Sequence, residues 1–111
     1  MKGMARGKSK LKIGTKNELI ALIGECRSAI RGLGVKRIGV FGSFAKNEPQ
    51  SESDIDLLVE FAPGKKTFDN FMELVYLIED RAGREADLVT LEGMSPHIGP
   101  RILKEVEFIA L

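Results

Sequence analysis

Cysteine and histidine are nearly absent from this sequence: Cys26 and His97 are single occurrences. One thiol cannot close an internal disulfide or assemble a thiolate metal site. One imidazole leaves a zinc centre or a histidine-based triad without its components. Cys26 falls on the apolar stripe of an expected helix and reads as a small buried hydrophobe, not a reactive thiol. Any chemistry therefore rests on carboxylates. Long apolar runs are also missing: none approaches the roughly 20 residues needed to span a bilayer, and the first residues hold no apolar signal core. The expectation is a soluble, cytoplasmic protein with no membrane association. A charge excess of one sign is missing as well, since 17 Lys plus Arg stand against 16 Asp plus Glu. A dedicated nucleic-acid binder carries a strong basic surplus, so direct nucleic-acid binding is not the expectation.

What is present is one small domain's worth of chain: 111 residues, 43% hydrophobic and 30% charged. Residues 1–12 concentrate Lys2, Arg6, Lys8, Lys10 and Lys12 with no acid. They are expected to form a basic disordered tail, either a solvated extension or an arm that touches RNA or an acidic partner. The remainder, 13–111, is expected to fold as one domain.

Thr15 and Glu18 form a capping-box pattern, and Leu19, Leu22, Ile23, Cys26, Ile30 and Leu33 follow at helical spacing until Gly32 and Gly34. The spacing predicts one amphipathic helix there. Val35 to Phe41 is β-prone and ends in Gly42-Ser43, and the polar stretch from Lys46 to Glu52, with Pro49, reads as a loop. From Asp54 to Phe61 the chain alternates, with Ile55, Leu57, Val59 and Phe61 on one face and Asp54, Asp56, Leu58 and Glu60 on the other. Phe68, Phe71, Met72, Val75, Ile78 and Ala82 form a second helical stripe ending near Gly83, and Ala86 to Leu91 is a further strand. A strand, helix, strand run of this length predicts a right-handed crossover between parallel strands. Pro100 opens a last short helix, and Phe108 to Leu111 is a candidate edge strand.

Parallel pairing puts Asp54 and Asp56 at the start of one strand beside Asp87 at the start of the next. Asp-rich strand ends can be mere solvated turns. Three carboxylates at one sheet end also repel one another in low dielectric, which a divalent cation relieves. Oxygen-only ligands select Mg²⁺ or Mn²⁺, suited to two-metal phosphoryl or nucleotidyl transfer. Gly42-Ser43 adds a place where backbone and a hydroxyl can approach a phosphate. The combination, Gly-Ser, ten residues, then Asp-x-Asp, is far more specific than either half.

On these residues the chain resembles the minimal nucleotidyltransferases of the DNA polymerase β superfamily. The likeness runs from Val35-Lys36-Arg37-Ile38 through Phe41-Gly42-Ser43-Phe44-Ala45, Ser53-Asp54-Ile55-Asp56-Leu57-Leu58-Val59, Lys65-Lys66-Thr67-Phe68-Asp69, Ala86-Asp87-Leu88-Val89-Thr90 and Pro100-Arg101-Ile102-Leu103. It implies an α+β fold, a small mixed sheet with helices packed on it. It also implies a protein adenylyltransferase that serves as antitoxin, moving AMP from ATP onto a tyrosine of a HEPN-domain ribonuclease toxin. By position, Gly42, Ser43 and the basic Lys46 would hold the triphosphate, Asp54 and Asp56 would ligate two Mg²⁺ ions, and Asp87 would ligate one and help deprotonate the attacking hydroxyl. The family usually has a basic residue and then Gly after the Ala. Here Lys46 keeps the charge and Asn47 replaces the Gly, a residue that tolerates left-handed φ. Alternatives are a non-catalytic binding module that silences its partner by occlusion, nucleotidyl transfer to a small molecule or RNA end, and a metal-dependent nuclease, in which Gly42-Ser43 would have no clear role.

Overall fold

The computed structural model describes residues 12–47, 53–93, 97 and 99–111. The expected tail up to residue 11 and the expected loop over 48–52 lie outside the described residues, as do residues 94–96 and 98.

Thr15 starts the first helix as expected. Its hydroxyl accepts from the Glu18 N–H at 3.1 Å, while the Glu18 carboxylate accepts from the Thr15 N–H at 3.2 Å. The single helix expected onward to Leu33 is two: α1 (Lys16–Glu25) and α2 (Arg27–Gly32). The break falls at Cys26, whose N–H is shared between the carbonyls of Leu22 and Ile23. Gly24, a poor helix former, precedes this tightened turn. Apolar spacing survives the break, because Leu19, Leu22, Ile23, Cys26 and Ile30 are all buried. Burial also pushes the Cys26 thiol pKa up, which suits an inert core side chain.

Four strands form one mixed sheet in the order β3-β2-β1-β4. β1 (Val35–Phe41) runs antiparallel to β2 (Ile55–Phe61), and β2 runs parallel to β3 (Ala86–Thr90). The parallel pair is joined through α4 (Phe68–Ala82), which Thr67 caps at its start and Gly83, at φ 70°, closes at its end. β3 is one residue shorter than expected, since Leu91 opens a single 3-10 turn, Leu91–Gly93. α5 (Gly99–Glu105) follows, and β4 (Glu107–Ile109) pairs antiparallel with β1 at the edge. The edge strand was expected at Phe108 to Leu111. Its register instead opposes Glu107 to Val40, so it begins one residue earlier and ends two earlier.

Alternation along β2 sets the two faces. Ile55, Leu57, Val59 and Phe61 join Leu19, Ile23 and Ile30 from the first helices and Leu74, Ile78 and Ala82 from α4 in one core cluster. Leu58 is buried on the opposite face, apart from that cluster. Asp56 shares the Leu58 face by the period of two, so it lies on the side of the sheet away from α1 and α4. No helix among the described residues is long and apolar enough to cross a membrane.

Candidate active site

Register brings the carboxylates together. Asp56 lies opposite Asp87 across the parallel β2–β3 pair and opposite Phe41 across the antiparallel β1–β2 pair. The end of β1 and the starts of β2 and β3 therefore meet at one end of the sheet. Asp54 precedes β2 by one residue and is exposed, as is Asp87, whereas Asp56 is half-buried.

The Asp56 carboxyl is pushed up to about 6, first by burial, then by the charges of Asp87, Asp54 and Glu105. A partly buried carboxylate thus feels the negative charge of three others. A bound cation would offset it. All the donors are oxygens, so the residues fit a hard divalent ion such as Mg²⁺ in charge and in chemistry. Among the described residues, no three Asp, Glu, His or Cys side chains already converge as a ligand set.

Gly42 and Ser43 open α3 (Gly42–Ala45), a single helical turn directly after β1. Gly42 sits at φ +74°, and a methyl group there would collide with the Asp56 carboxylate. Glycine is thus required twice, for its backbone conformation and for the close approach of Asp56. Phe44 is fully buried and fastens the turn to the core. Ser43 is half-exposed, and Lys46, which ends the turn, is exposed. Asn47 has φ 57°, so asparagine does adopt the left-handed backbone where a glycine is usual. Its side chain adds something glycine lacks: Asn47 Oδ1 accepts from the Lys16 N–H at 3.0 Å, tying the turn to the start of α1.

Two residues that sequence reasoning missed hold this geometry. Glu105, at the end of α5, accepts from the Gly42 N–H at 3.1 Å. Arg84 donates from Nε to the Ile13 carbonyl at 2.6 Å and from Nη1 to the Ser53 carbonyl at 2.9 Å. Its guanidinium also lies over the Phe44 ring, 5.1 Å from the centroid. It thereby joins the residue before Asp54 to the Gly-Ser turn. Both are contacts between distant parts of the chain, and no local pattern announces them.

A mixed four-stranded sheet with carboxylates on adjacent parallel strands, facing a Gly-Ser turn on a third strand, defines the nucleotidyl-transferring class of α+β enzymes. The nucleotidyltransferase domain family matches residues 20–109, and the chain belongs to that family. It is 46% identical over 72 residues to "Putative protein adenylyltransferase MJ0435" of Methanocaldococcus jannaschii, covering 65% of this chain and 76% of that protein. A solved structure described as "putative minimal nucleotidyltransferase" superposes with a TM-score of 0.75 at 31% identity, covering 93% of this chain and 99% of the other. A toxin-antitoxin structure with AMP-PNP shares the fold, with a TM-score of 0.62 at 22% identity over 84% of this chain and 70% of its own.

Proposed function

We propose that this nucleotidyltransferase moves AMP from ATP to a tyrosine hydroxyl of a partner toxin, a HEPN-type ribonuclease, and so acts as its antitoxin. The observation that carries the reading is the Asp56–Asp87 register pair facing Gly42-Ser43. The adenylyltransferase name of the Methanocaldococcus relative and the toxin-antitoxin structure with AMP-PNP support the donor and the kind of partner.

In the proposed reaction the acceptor oxygen bonds to the α-phosphorus, the bond from that phosphorus to the bridging oxygen breaks, and pyrophosphate leaves. Asp54 and Asp56 would hold two Mg²⁺ ions, with Asp87 a ligand to one. Held there, the ions would supply charge neutralisation for the triphosphate and the developing transition state. Ser43 and Lys46 orient the triphosphate, and Gly42 lets the turn lie against Asp56. Asp87 receives or directs the proton of the incoming hydroxyl. The domain is small, and the acceptor is taken to bring its own surface to the open carboxylate end of the sheet.

The test is transfer of label from α-labelled ATP to the partner protein, with and without Mg²⁺. Asp54→Asn with Asp56→Asn should lose metal-dependent ATP binding and labelling together. Equal ATP affinity in EDTA and in Mg²⁺, measured by calorimetry, would remove the metal role. A second reading is silencing by occlusion, in which the same exposed carboxylate end of the sheet covers the partner without transfer. Asp87→Asn separates the two.

A further inference from the structure

We propose that Glu105 is a positioning residue for the nucleotide turn, holding the Gly42 N–H so that Ser43 faces the triphosphate while Glu105 itself touches no nucleotide. The proposal rests on the reading above that the turn binds a triphosphate. Gly42 is in the left-handed region at φ +74° and has no side chain to anchor it. Two neighbours define its place: the Asp56 carboxylate, against which it packs, and Glu105 Oε1, which accepts its N–H at 3.1 Å in a part-buried contact. A glycine freed of one of these has a wide choice of backbone conformations.

Glu105 is delivered by a well-braced segment. Ile102 is buried beneath α5, and the Val106 N–H donates to the Ile102 carbonyl at 2.8 Å, closing the helix. Val106 then lies over Gly39 of β1, where an added methyl group would come within 2.6 Å of its Cγ2. Glu107 pairs with Val40 in the sheet and its Oε1 takes the Lys16 ammonium at 2.9 Å. Lys16 is the residue whose N–H is held by Asn47 at the far end of the turn. Both ends of the Gly42 to Asn47 turn are thus fastened from outside it, one by α5 and one by α1.

Electrostatics argues that Glu105 contributes through its hydrogen bond and not through its charge. The Glu105 charge opposes that of Asp56, and it would oppose a triphosphate as well. An amide oxygen makes the same contact without that repulsion. With the Gly42 donor already taken, the triphosphate is left to Ser43 and Lys46, and Gly42 contributes shape.

Binding of MgATP to wild type, Glu105→Gln, Glu105→Ala and Ser43→Ala is measured by calorimetry, alongside the ¹⁵N–¹H signal and exchange rate of the Gly42 amide by NMR. Glu105→Ala should weaken MgATP binding about tenfold, the scale of one lost hydrogen bond, with a shifted and faster-exchanging Gly42 amide. Glu105→Gln should keep the amide signal and bind MgATP as tightly as wild type or more tightly. Should Glu105→Ala fail to fold, Glu105→Asp, one methylene too short to reach, takes its place with the same expectation. Tighter or unchanged binding in Glu105→Ala overturns the proposal, because Glu105 is then a displaced competitor or a bystander. Glu105→Gln as weak as Glu105→Ala also overturns it, since the charge and not the contact is what counts. If wild type itself fails to bind MgATP, the proposed function falls, and the NMR comparison still reports on the Glu105–Gly42 contact by itself.

Discussion

Asp56 sits where stability and its proposed metal-binding role pull in opposite directions. An Asp carboxyl ordinarily titrates at 3.8, and in the folded protein this one is raised to about 6. Ionisation is therefore harder in the folded chain than in the unfolded one. The stability linked to this group is fully present below pH 4 and is lost as pH rises from 4 through 6. The full shift is worth about 3 kcal/mol, which solvent around a half-exposed carboxylate screens to about 1 to 2 kcal/mol. Asp56→Asn stays neutral at every pH. Without divalent cations it should melt above wild type at pH 7.5, and the gap should close at pH 4. A variant that melts lower at pH 7.5 would mean that the carboxylate makes stabilising contacts that outweigh its repulsion. Gly42 gives the converse case, in which side-chain size is the issue. Gly42→Ala places a methyl group against Asp56 at φ +74°, so it should cost about 1 to 3 kcal/mol in urea unfolding and weaken nucleotide binding too. Wild-type stability in that variant would show that the turn can move aside.

The turn from Gly42 to Asn47 is the element in which local and distant determinants are easiest to tell apart. Asn47 does two things, adopting φ 57° and accepting from the Lys16 N–H. Asn47→Gly keeps the first and loses the second, for about 0.5 to 1.5 kcal/mol. Asn47→Ala loses both, adding about 1 to 2 kcal/mol for the left-handed backbone. Denaturant midpoints should fall in the order Asn, Gly, Ala, and equal midpoints for Gly and Ala would deny the backbone its part. The left-handed φ was legible in the sequence because it depends on one residue type. The bond to Lys16 was not, because it spans 31 residues. The same division runs through the fold. The Thr15 cap, the stop of α4 at Gly83 and the alternation from Ile55 to Phe61 are local patterns that form where expected, whereas the α4 stripe is displaced: Phe68, expected on it, is exposed, and Leu74, expected off it, is buried. The Asp56–Asp87 pairing follows from a parallel crossover, so it too was readable. The break at Cys26, the antiparallel placement of β1 between β2 and β4, and the Glu105 and Arg84 contacts depend on tertiary packing. Apolar spacing and turn residues carry no information about which strand becomes whose neighbour.

At the scale of the whole molecule, the two layers divide the work. α1, α2 and α4 bury one face of the sheet, which leaves the carboxylates on the other face at the end shared by β1, β2 and β3. Under the proposed function a partner must dock at that end, and docking alone could silence it. Asp87 distinguishes catalysis from coverage because it lies at the start of β3, exposed and outside the core. Asp87→Asn preserves shape while removing charge, and the assigned role is exercised in the transition state more than in nucleotide binding. The variant should therefore fold normally and keep its partner and substantial MgATP affinity, while the transfer rate falls by about 10² to 10⁴, the usual worth of a positioned base. The measurement pairs label incorporation from α-labelled ATP with survival of cells that express both proteins. Loss of labelling together with loss of protection makes adenylyl transfer the means of neutralisation. Loss of labelling with undiminished protection gives that role to occlusion, because the surface that covers the partner is intact in Asp87→Asn and only the chemistry is gone.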